Sequence, residues 1–245
     1  MQVHEYNKMY DFENNYWWYK GLHELVEFYI RRLSVKHILN ILDAGCGTGR
    51  FVQIAKKYGI VEGLDYSSTA VAFCTKRGLD NCRVCDLNEW QPTESAYDTI
   101  ISLDVLCCEG IEDDGVILGK FYSSLKINGM IILNLPAFPF LRRTHDIAVS
   151  ISRRYYARDL VSRMRKHGFT NIYVTYRLPA LFFIILMKRL WENFSKNNDI
   201  ESDLTTLPCF INNLFLFFHR LENKLITKGV RFPIGASIFL IAMKI

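Results

Sequence analysis

The chain has 245 residues, half of them apolar, and a formal net charge of +5 at pH 7. This length gives one domain with a sizeable core, and so small a charge without a basic tract argues against nucleic acid as a partner. The first ten residues lack the apolar run of a secretory signal, and the seven cysteines are an odd number, several of them inside predicted strands. We therefore expect reduced thiols in the cytoplasm.

The chain opens with an aromatic segment, predicted to be helical, over residues 1–34. It contains Trp17, Trp18 and Tyr19 in succession. Aromatic faces attract cations, so Trp18 is a candidate for closing over a positively charged ligand. Packing of the same rings against a sheet is the alternative, and the two roles are compatible.

A tight turn follows the first predicted strand in residues 41–50, ILDAGCGTGR. Gly45, Gly47 and Gly49 permit positive φ and let a ligand approach the backbone. The dinucleotide fingerprint is Gly-x-Gly-x-x-Gly, but here the third glycine comes one residue early and Asp43 precedes the turn. The pattern resembles motif I of the class I S-adenosylmethionine (SAM)-dependent methyltransferases. The resemblance implies SAM as cofactor, with an α-amino group that an acid can bind.

A second strand is predicted over residues 61–66 and ends in Asp65 and Tyr66. Asp65 lies 16 residues after Gly49. A carboxylate at this place binds ribose hydroxyls in dinucleotide folds, and SAM carries the same ribose. We therefore predict that Asp65 and Tyr66 contact the cofactor.

The third and fourth strands are predicted over residues 82–87 and 97–104. The family resemblance implies that Asp86 accepts a hydrogen bond from the adenine amino group while the backbone amide of Leu87 meets the ring. From the fourth strand, Leu103 is assigned to the cofactor site.

The later elements complete the predicted fold. In chain order they are a helix end, glycine turn and fifth strand (125–133), an irregular connection (136–156), a helix (158–167), a sixth strand (171–177), an inserted helical section interrupted near 197–208 (181–227) and a last strand (238–243). The expected class is α/β: a Rossmann-like, seven-stranded, mostly parallel sheet with the last strand antiparallel and helices on both faces. We predict one domain, in which residues 1–34 form a lid and residues 181–227 a helical cap.

The resemblance covers nearly the whole chain. Residues 16–21 resemble the aromatic opening of a bacterial and archaeal subgroup that is often encoded beside glycosyltransferases, and residues 153–155, Arg-Arg-Tyr, match its segment after the fifth strand. The acceptors of that subgroup are diverse, so the likeness implies a fold and a cofactor but no particular acceptor.

Methyl transfer from a sulfonium is an in-line displacement that needs alignment and exclusion of water, and a base only for some nucleophiles. Two histidines that many relatives carry are replaced here by Cys108 and Ile151. His145, next to Asp146, is the predicted base; a surface histidine beside a capping acid is the alternative. Tyr155 is a second catalytic candidate, with a core tyrosine as its alternative.

Two cysteine pairs, Cys82-x-x-Cys85 and Cys107-Cys108, invite a zinc hypothesis. The third and fourth strands of this fold lie three spacings apart, roughly 14 Å, whereas zinc–sulfur bonds are about 2.3 Å. We therefore predict no metal site.

These features predict an enzyme that moves a methyl group from SAM to a small-molecule or lipid-like acceptor and releases S-adenosylhomocysteine. The apolar runs at 178–187 and 214–218 are shorter than the roughly 20 residues of a membrane span. A buried strand or the core of the cap helices explains them, and an apolar acceptor pocket or contact with a membrane surface is the functional alternative. Two alternatives stay open: a non-catalytic SAM-binding scaffold, and an enzyme acting on a lipid-linked saccharide at the membrane. The acceptor, the target atom and the oligomeric state are left open as well.

Overall fold

The computed structural model describes residues 3–35, 37–142, 144–194 and 206–245. Within these ranges the elements are α1 (Val3–Phe12), α2 (Trp17–Leu33), β1 (Leu39–Ala44), α3 (Arg50–Ala55), β2 (Gly59–Asp65), α4 (Ser68–Lys76), β3 (Cys82–Val84), β4 (Tyr97–Leu103), α5 (Asp114–Ser124), β5 (Leu125–Pro136), a 3₁₀ turn (Pro139–Leu141), α6 (Thr144–Ala148), α7 (Ala157–Lys166), β6 (Thr170–Arg177), α8 (Pro179–Phe194), α9 (Cys209–Ile226) and β7 (Ser237–Met243).

The strands form one sheet in the order β3-β2-β1-β4-β5-β7-β6. The pairs among β1 to β5 are parallel, and β7 inserts antiparallel between β5 and β6. The predicted seven-stranded, mostly parallel α/β sheet with a reversed last strand is confirmed. Because β1 to β5 run in one direction, their carboxyl ends meet along one edge, where ligands bind in folds of this kind.

The sheet is buried on both faces. Side chains alternate along each strand, so Leu42 and Ile100 face one apolar core while Ile41 and Ile101 face the other. Helices α5 and α7 cover the first face, and α2 and α3 cover the second. This burial explains why the strands read as continuous apolar runs rather than as alternating patterns.

The strand boundaries differ from the prediction most clearly at β3 and β5. β3 ends at Val84 rather than Leu87, because the Asp86 carboxylate accepts a hydrogen bond from the backbone N–H of Asn88 at 2.8 Å and starts a turn. β5 begins at Leu125, where a helix end was predicted, and its register against β4 shifts through a bulge that holds Asn128 at a φ of 65°.

The later segments also contain helices. Residues 136–156, predicted as irregular, include the 3₁₀ turn and α6. The predicted helical insertion corresponds to α8 and α9, which stand between β6 and β7 in the chain. Among the helices of the described residues, none has both the length and the apolar character that a membrane span requires.

Candidate functional site

A cavity of about 800 Å³ opens at the carboxyl ends of β1, β2 and β4. Its floor is the loops after these strands, and its walls come from α1, α2 and the segment 149–154. Leu181, Ile184 and Ile185 of α8 and Phe215 of α9 close the remaining side. The volume lies within the range of small-molecule sites, roughly 300–1,000 Å³.

The glycine turn forms part of this floor. Gly45, Gly47 and Gly49 have φ values of 90°, 53° and 84°, which a residue with a side chain rarely adopts. A Cβ on Gly45 would lie 2.0 Å from the Cγ2 atom of Val105. A Cβ on Gly47 would meet only Met9 within 4 Å, so here the missing side chain leaves open space that a ligand can use.

Asp43 ends β1 beneath the turn. Its side chain lines the cavity although only 3 % of the residue is exposed, and no described group donates a hydrogen bond to its carboxylate. Burial raises the pKa of Asp43 well above its usual range. A bound cation would relieve that penalty, so the position suits the α-amino group of SAM.

Asp65 ties the end of β2 to the glycine turn. One carboxylate oxygen accepts from the N–H of Gly47 at 2.8 Å, and the other accepts from the N–H of Ser67 at 2.9 Å. Burial raises the pKa of Asp65, and these two backbone bonds oppose the rise. Tyr66, next in the chain, presents an exposed ring to the cavity.

Four further predicted contacts line the same cavity: Trp18, Asp86, Leu87 and Leu103. Of the ten residues predicted to bind the cofactor, Gly49 is the exception. It faces α4, where an added Cβ would lie 2.8 Å from the sulfur of Cys74. Gly49 therefore shapes the turn from behind rather than from the ligand side.

Tyr155 lies outside the cavity. Its buried hydroxyl bonds the Leu106 carbonyl and a carboxylate oxygen of Asp114, each at 2.9 Å. Burial raises its pKa far above the ordinary value. A tyrosine in this place anchors the loop after β4 to α5, and the catalytic role assigned from sequence stays a prediction.

Of the predicted His145–Asp146 pair, the structure describes the side chain of Asp146. The side chain of His145 lies outside the described residues, so its role as a base stays a prediction. The Asp146 carboxylate accepts two hydrogen bonds from Arg154, from Nε and Nη2, each at 2.7 Å.

Asp104 is a residue that sequence reasoning did not single out. It follows β4 with a φ of 59°, a conformation that costs a non-glycine residue energy and that clusters at functional sites. Asp104 lines the cavity, and its carboxylate accepts from the side-chain amide of Asn134 at 2.9 and 3.0 Å. Burial raises the pKa of Asp104 to about 6, against the opposing effects of Asn134, Arg177 and Arg154.

A series of buried polar contacts connects Asp104 with α9 and α2. Arg177, fully buried at the end of β6, donates to the Asn134 side-chain carbonyl at 2.8 Å and also contacts Nε2 of His219. His219 Nδ1 lies 3.3 Å from the carbonyl oxygen of Trp17. Burial, and secondarily Arg177, lowers the pKa of His219, so the ring is neutral, donating at Nδ1 and accepting at Nε2.

Comparison with known proteins agrees with this geometry. A family model described as a methyltransferase domain matches residues 36–174. Maize phosphoethanolamine N-methyltransferase 1 is 26% identical over 188 residues, which are 72% of this chain and 36% of that protein. The chain thus spans about a third of the length of this relative.

Solved structures share the fold. A possible histamine N-methyltransferase from Thermotoga maritima matches 99% of this chain and 96% of its own, with a TM-score of 0.61 and 18% identity. Haemonchus contortus phosphoethanolamine N-methyltransferase 2 in complex with SAM gives a TM-score of 0.58 at 20% identity, covering 89% of this chain and 52% of that one. The family model, the strand order and the cavity lead to one assignment: the chain belongs to the class I SAM-dependent methyltransferases and uses SAM as its cofactor.

Proposed function

We propose that the acceptor is a small amine and that Asp104 holds its nitrogen. The observation that carries the proposal is the place of Asp104: a carboxylate at the end of β4, on the cavity, with its pKa raised to about 6 by burial. Above that pH it is ionised and fits an N–H donor, and it can also accept a proton.

The charge of the cavity favours a cationic acceptor. Its acidic lining residues are Asp43, Asp65, Asp86, Asp104 and Glu109, together with Glu5 and Glu13, which are paired with Lys8 and Arg77. Among the described lining residues, Arg154 is the one with a fixed positive charge. Burial lowers the pKa of His23 to about 3, so this ring is neutral and adds no charge. Such a lining attracts cations and repels anions.

A phosphorylated acceptor fits the same cavity poorly. Phosphate is bound in proteins by guanidinium or ammonium groups or by helix N-termini. Here the guanidinium of Arg154 already bonds Asp146 at 2.7 Å and the Ala137 carbonyl at 3.0 Å. We therefore expect the preferred amine to lack a phosphate, unlike the phosphoethanolamine for which the maize relative is named.

In methyl transfer the main task of the protein is to align the amine nitrogen with the methyl group. When bound, SAM supplies an electrophilic methyl group. The amine binds as its ammonium ion, and the Asp104 carboxylate takes one proton from it, which frees the nitrogen lone pair. That lone pair forms the new N–C bond while the sulfur–carbon bond breaks, the methylated amine leaves as an ammonium ion, and solvent removes the proton from Asp104. Trp18 and the apolar side chains of α8 exclude water.

We propose that α1 and α2 act as a lid and that α8 and α9 act as a cap. The lid is bound to the core by the Glu13–Arg77 ion pair. It is bound to the cap through Asn223, whose side-chain amide donates to the Gly21 carbonyl at 2.7 Å. Lid and cap together enclose the acceptor end of the cavity.

Turnover with a panel of amines tests the acceptor class. S-adenosylhomocysteine release is measured with ethanolamine, histamine and phosphoethanolamine for the natural chain and Asp104→Asn. We expect the unphosphorylated amines to be preferred. We also expect Asp104→Asn to lower kcat/KM by about 10²–10⁴-fold, the range for general acid–base groups, with SAM affinity unchanged. Asp113→Asn, an exposed carboxylate outside the cavity, is the matched control.

Three results would count against the proposal. A strict requirement for the phosphorylated amine would refute the charge argument. Full activity of Asp104→Asn would refute its role. SAM binding without turnover on any amine would favour the non-catalytic scaffold, or an acceptor of another class.

We also propose that α8 and α9 touch a membrane surface. Exposed apolar side chains crowd these helices, with Phe210 77 % and Phe217 62 % exposed, and Phe183 on α8 at 55 %. The opposite face of α9 is buried, so the apolar face points outward. Exposed Lys224 and Lys228 near its end suit anionic lipid headgroups.

Flotation with phosphatidylglycerol-containing vesicles tests this contact. We expect the chain to float with the vesicles, and expect Phe210→Ser with Phe217→Ser to stay at the bottom with its SAM affinity intact. Equal flotation of both proteins, or self-association abolished by the same substitutions, would contradict a membrane role. An acceptor carried by a lipid would then lose its support.

A further inference from the structure

Three cysteines from separate elements meet behind the glycine turn. Cys46 belongs to the turn after β1, Cys74 to α4 and Cys82 to the first position of β3. Their sulfur atoms all lie within 4.8 Å of one another. Cys46 and Cys74 are buried, Cys82 is half-buried, and all three thiols are free.

The spacing of these sulfurs is close to that of a metal site. Zinc–sulfur bonds of about 2.3 Å place tetrahedral thiolates roughly 3.8 Å apart. The three sulfur atoms thus need to contract by roughly an ångström or less to share one ion. Thiolate sulfur is the ligand that selects soft metals such as zinc and cuprous copper.

The surroundings leave room for the cluster. Gly63 of β2 faces it, and a Cβ there would lie 2.7 Å from the Cys82 sulfur and 3.0 Å from the Cys46 sulfur. The S–H groups of Cys46 and Cys74 both donate to the Gly47 carbonyl, at 3.9 and 3.3 Å, so two of the thiols are held against the glycine turn. The thiolate, not the thiol, is the form that binds metal.

We propose that Cys46, Cys74 and Cys82 bind one thiophilic divalent cation of the zinc group. Three thiolates around one ion carry a negative charge that a dication offsets better than a monovalent ion. Binding releases the thiol protons to solvent. No further His, Cys, Asp or Glu of the described residues joins the set, so water from the half-buried Cys82 side completes the coordination.

This site differs from the zinc arrangement that the sequence excludes. It uses Cys82 but neither Cys85 nor the Cys107–Cys108 pair. Cys46 belongs to the turn itself and Gly49 packs against Cys74, so an ion bound here would brace the cofactor turn.

Titration with Cd²⁺ tests the site, since cadmium–thiolate bonds absorb in the ultraviolet. We expect the reduced full chain to take up one equivalent. Cys74→Ser and Cys82→Ser should each weaken binding by about 100-fold or more, because outer-shell changes alone cost about 10–100-fold. Cys85→Ser is the matched control, three positions beyond Cys82 and outside the trio, and should bind like the natural chain.

A second measurement needs no variant. Iodoacetamide labelling of the natural chain, mapped by mass spectrometry, should reach Cys82 without Zn²⁺ and be blocked with it, while exposed Cys209 is labelled in both cases. The proposal is overturned if no stoichiometric cadmium band forms. It is equally overturned if Zn²⁺ leaves Cys82 labelling unchanged, or if Cys85→Ser removes the site while Cys82→Ser keeps it.

Discussion

The two proposed ends of the cavity are built in different ways. The cofactor end is local, since its glycine turn and strand-end acids come from residues 43–87. The acceptor end collects side chains that are distant in sequence, such as Asp104, Arg154, Leu181 and Phe215. A local site can be recognised in the sequence from spacing alone. A site assembled from distant side chains becomes visible only when the fold brings them together.

Gly47→Val should have the largest effect and should confine it to the cofactor end. The substituted side chain would enter the cavity and would also strain a residue with a φ of 53°. We expect no SAM binding detectable by calorimetry.

Gly78→Ala is the control that separates backbone strain from blockage of the cavity. Gly78 also has a positive φ, 73°, but lies outside the cavity with no neighbouring atom within 4 Å of an added Cβ. It should lose some thermal stability and keep its SAM affinity. If Gly47→Val binds SAM normally, or both variants lose binding alike, the cofactor end is wrongly placed.

The pH profile should reveal the acceptor end. The pKa of Asp104 is raised to about 6, so its carboxylate is ionised above that pH and is protonated as the pH falls through it. We expect kcat/KM for an amine to fall about tenfold per pH unit below about pH 6. Asp104→Asn should lose this acid limb and keep any limb that belongs to the amine itself. An unchanged acid limb in the variant would assign the titration to another group.

Asp65→Ala should give an intermediate effect at the cofactor end. Loss of a hydrogen-bonded charged partner costs about 1.5–3 kcal/mol, or roughly 10–150-fold in the SAM dissociation constant. The turn also loses the bond from the Gly47 N–H. Asp80→Ala, an exposed acid outside the cavity, should bind SAM normally in the same calorimetric assay. Equal affinities for all three proteins would remove Asp65 from the cofactor site.

The smallest effect should come from the cap. Leu181 and Ile185 line the cavity, whereas Phe183 is exposed and does not. Leu181→Ser with Ile185→Ser should raise KM for the acceptor by about tenfold, as expected when about 1.4 kcal/mol of apolar contact is lost, and leave SAM affinity near normal. Phe183→Ser should change neither. If the cavity-lining pair weakens SAM while the melting curve stays normal, the division into two ends fails.

The sequence predicts the cofactor end of the cavity much better than the acceptor end. The sequence predicted the sheet and the reversed last strand, and nine of the ten residues that it assigned to the cofactor line the cavity, because turn glycines and strand-end acids keep fixed spacings. Tyr155, a catalytic candidate from the sequence, is absent from the cavity lining although its neighbour Arg154 is part of it, because packing decides the direction of each side chain. The sequence does not single out Asp104, because the two features that mark it are structural. They are its φ of 59° and its hydrogen bond from Asn134 on the neighbouring strand.

The cysteines show the same limit. Sequence spacing pointed to Cys82 and Cys85 as a pair, yet the structure joins Cys82 to Cys46 and Cys74. The turn after β1, the covering helix α4 and strand β3 bring those sulfurs together. Short-range motifs describe ligands on one turn or loop, and they miss clusters whose members arrive from different layers.

The buried chain from Trp17 through His219, Arg177 and Asn134 to Asp104 has a thermodynamic consequence. Arg177 favours the ionised form of Asp104, and His219 of α9 contacts Arg177. The free energy of docking α9 is therefore linked to the proton affinity of Asp104. By reciprocity, whatever fixes the helix changes the acidity of the carboxylate, and protonating the carboxylate changes the docking of the helix by the same amount.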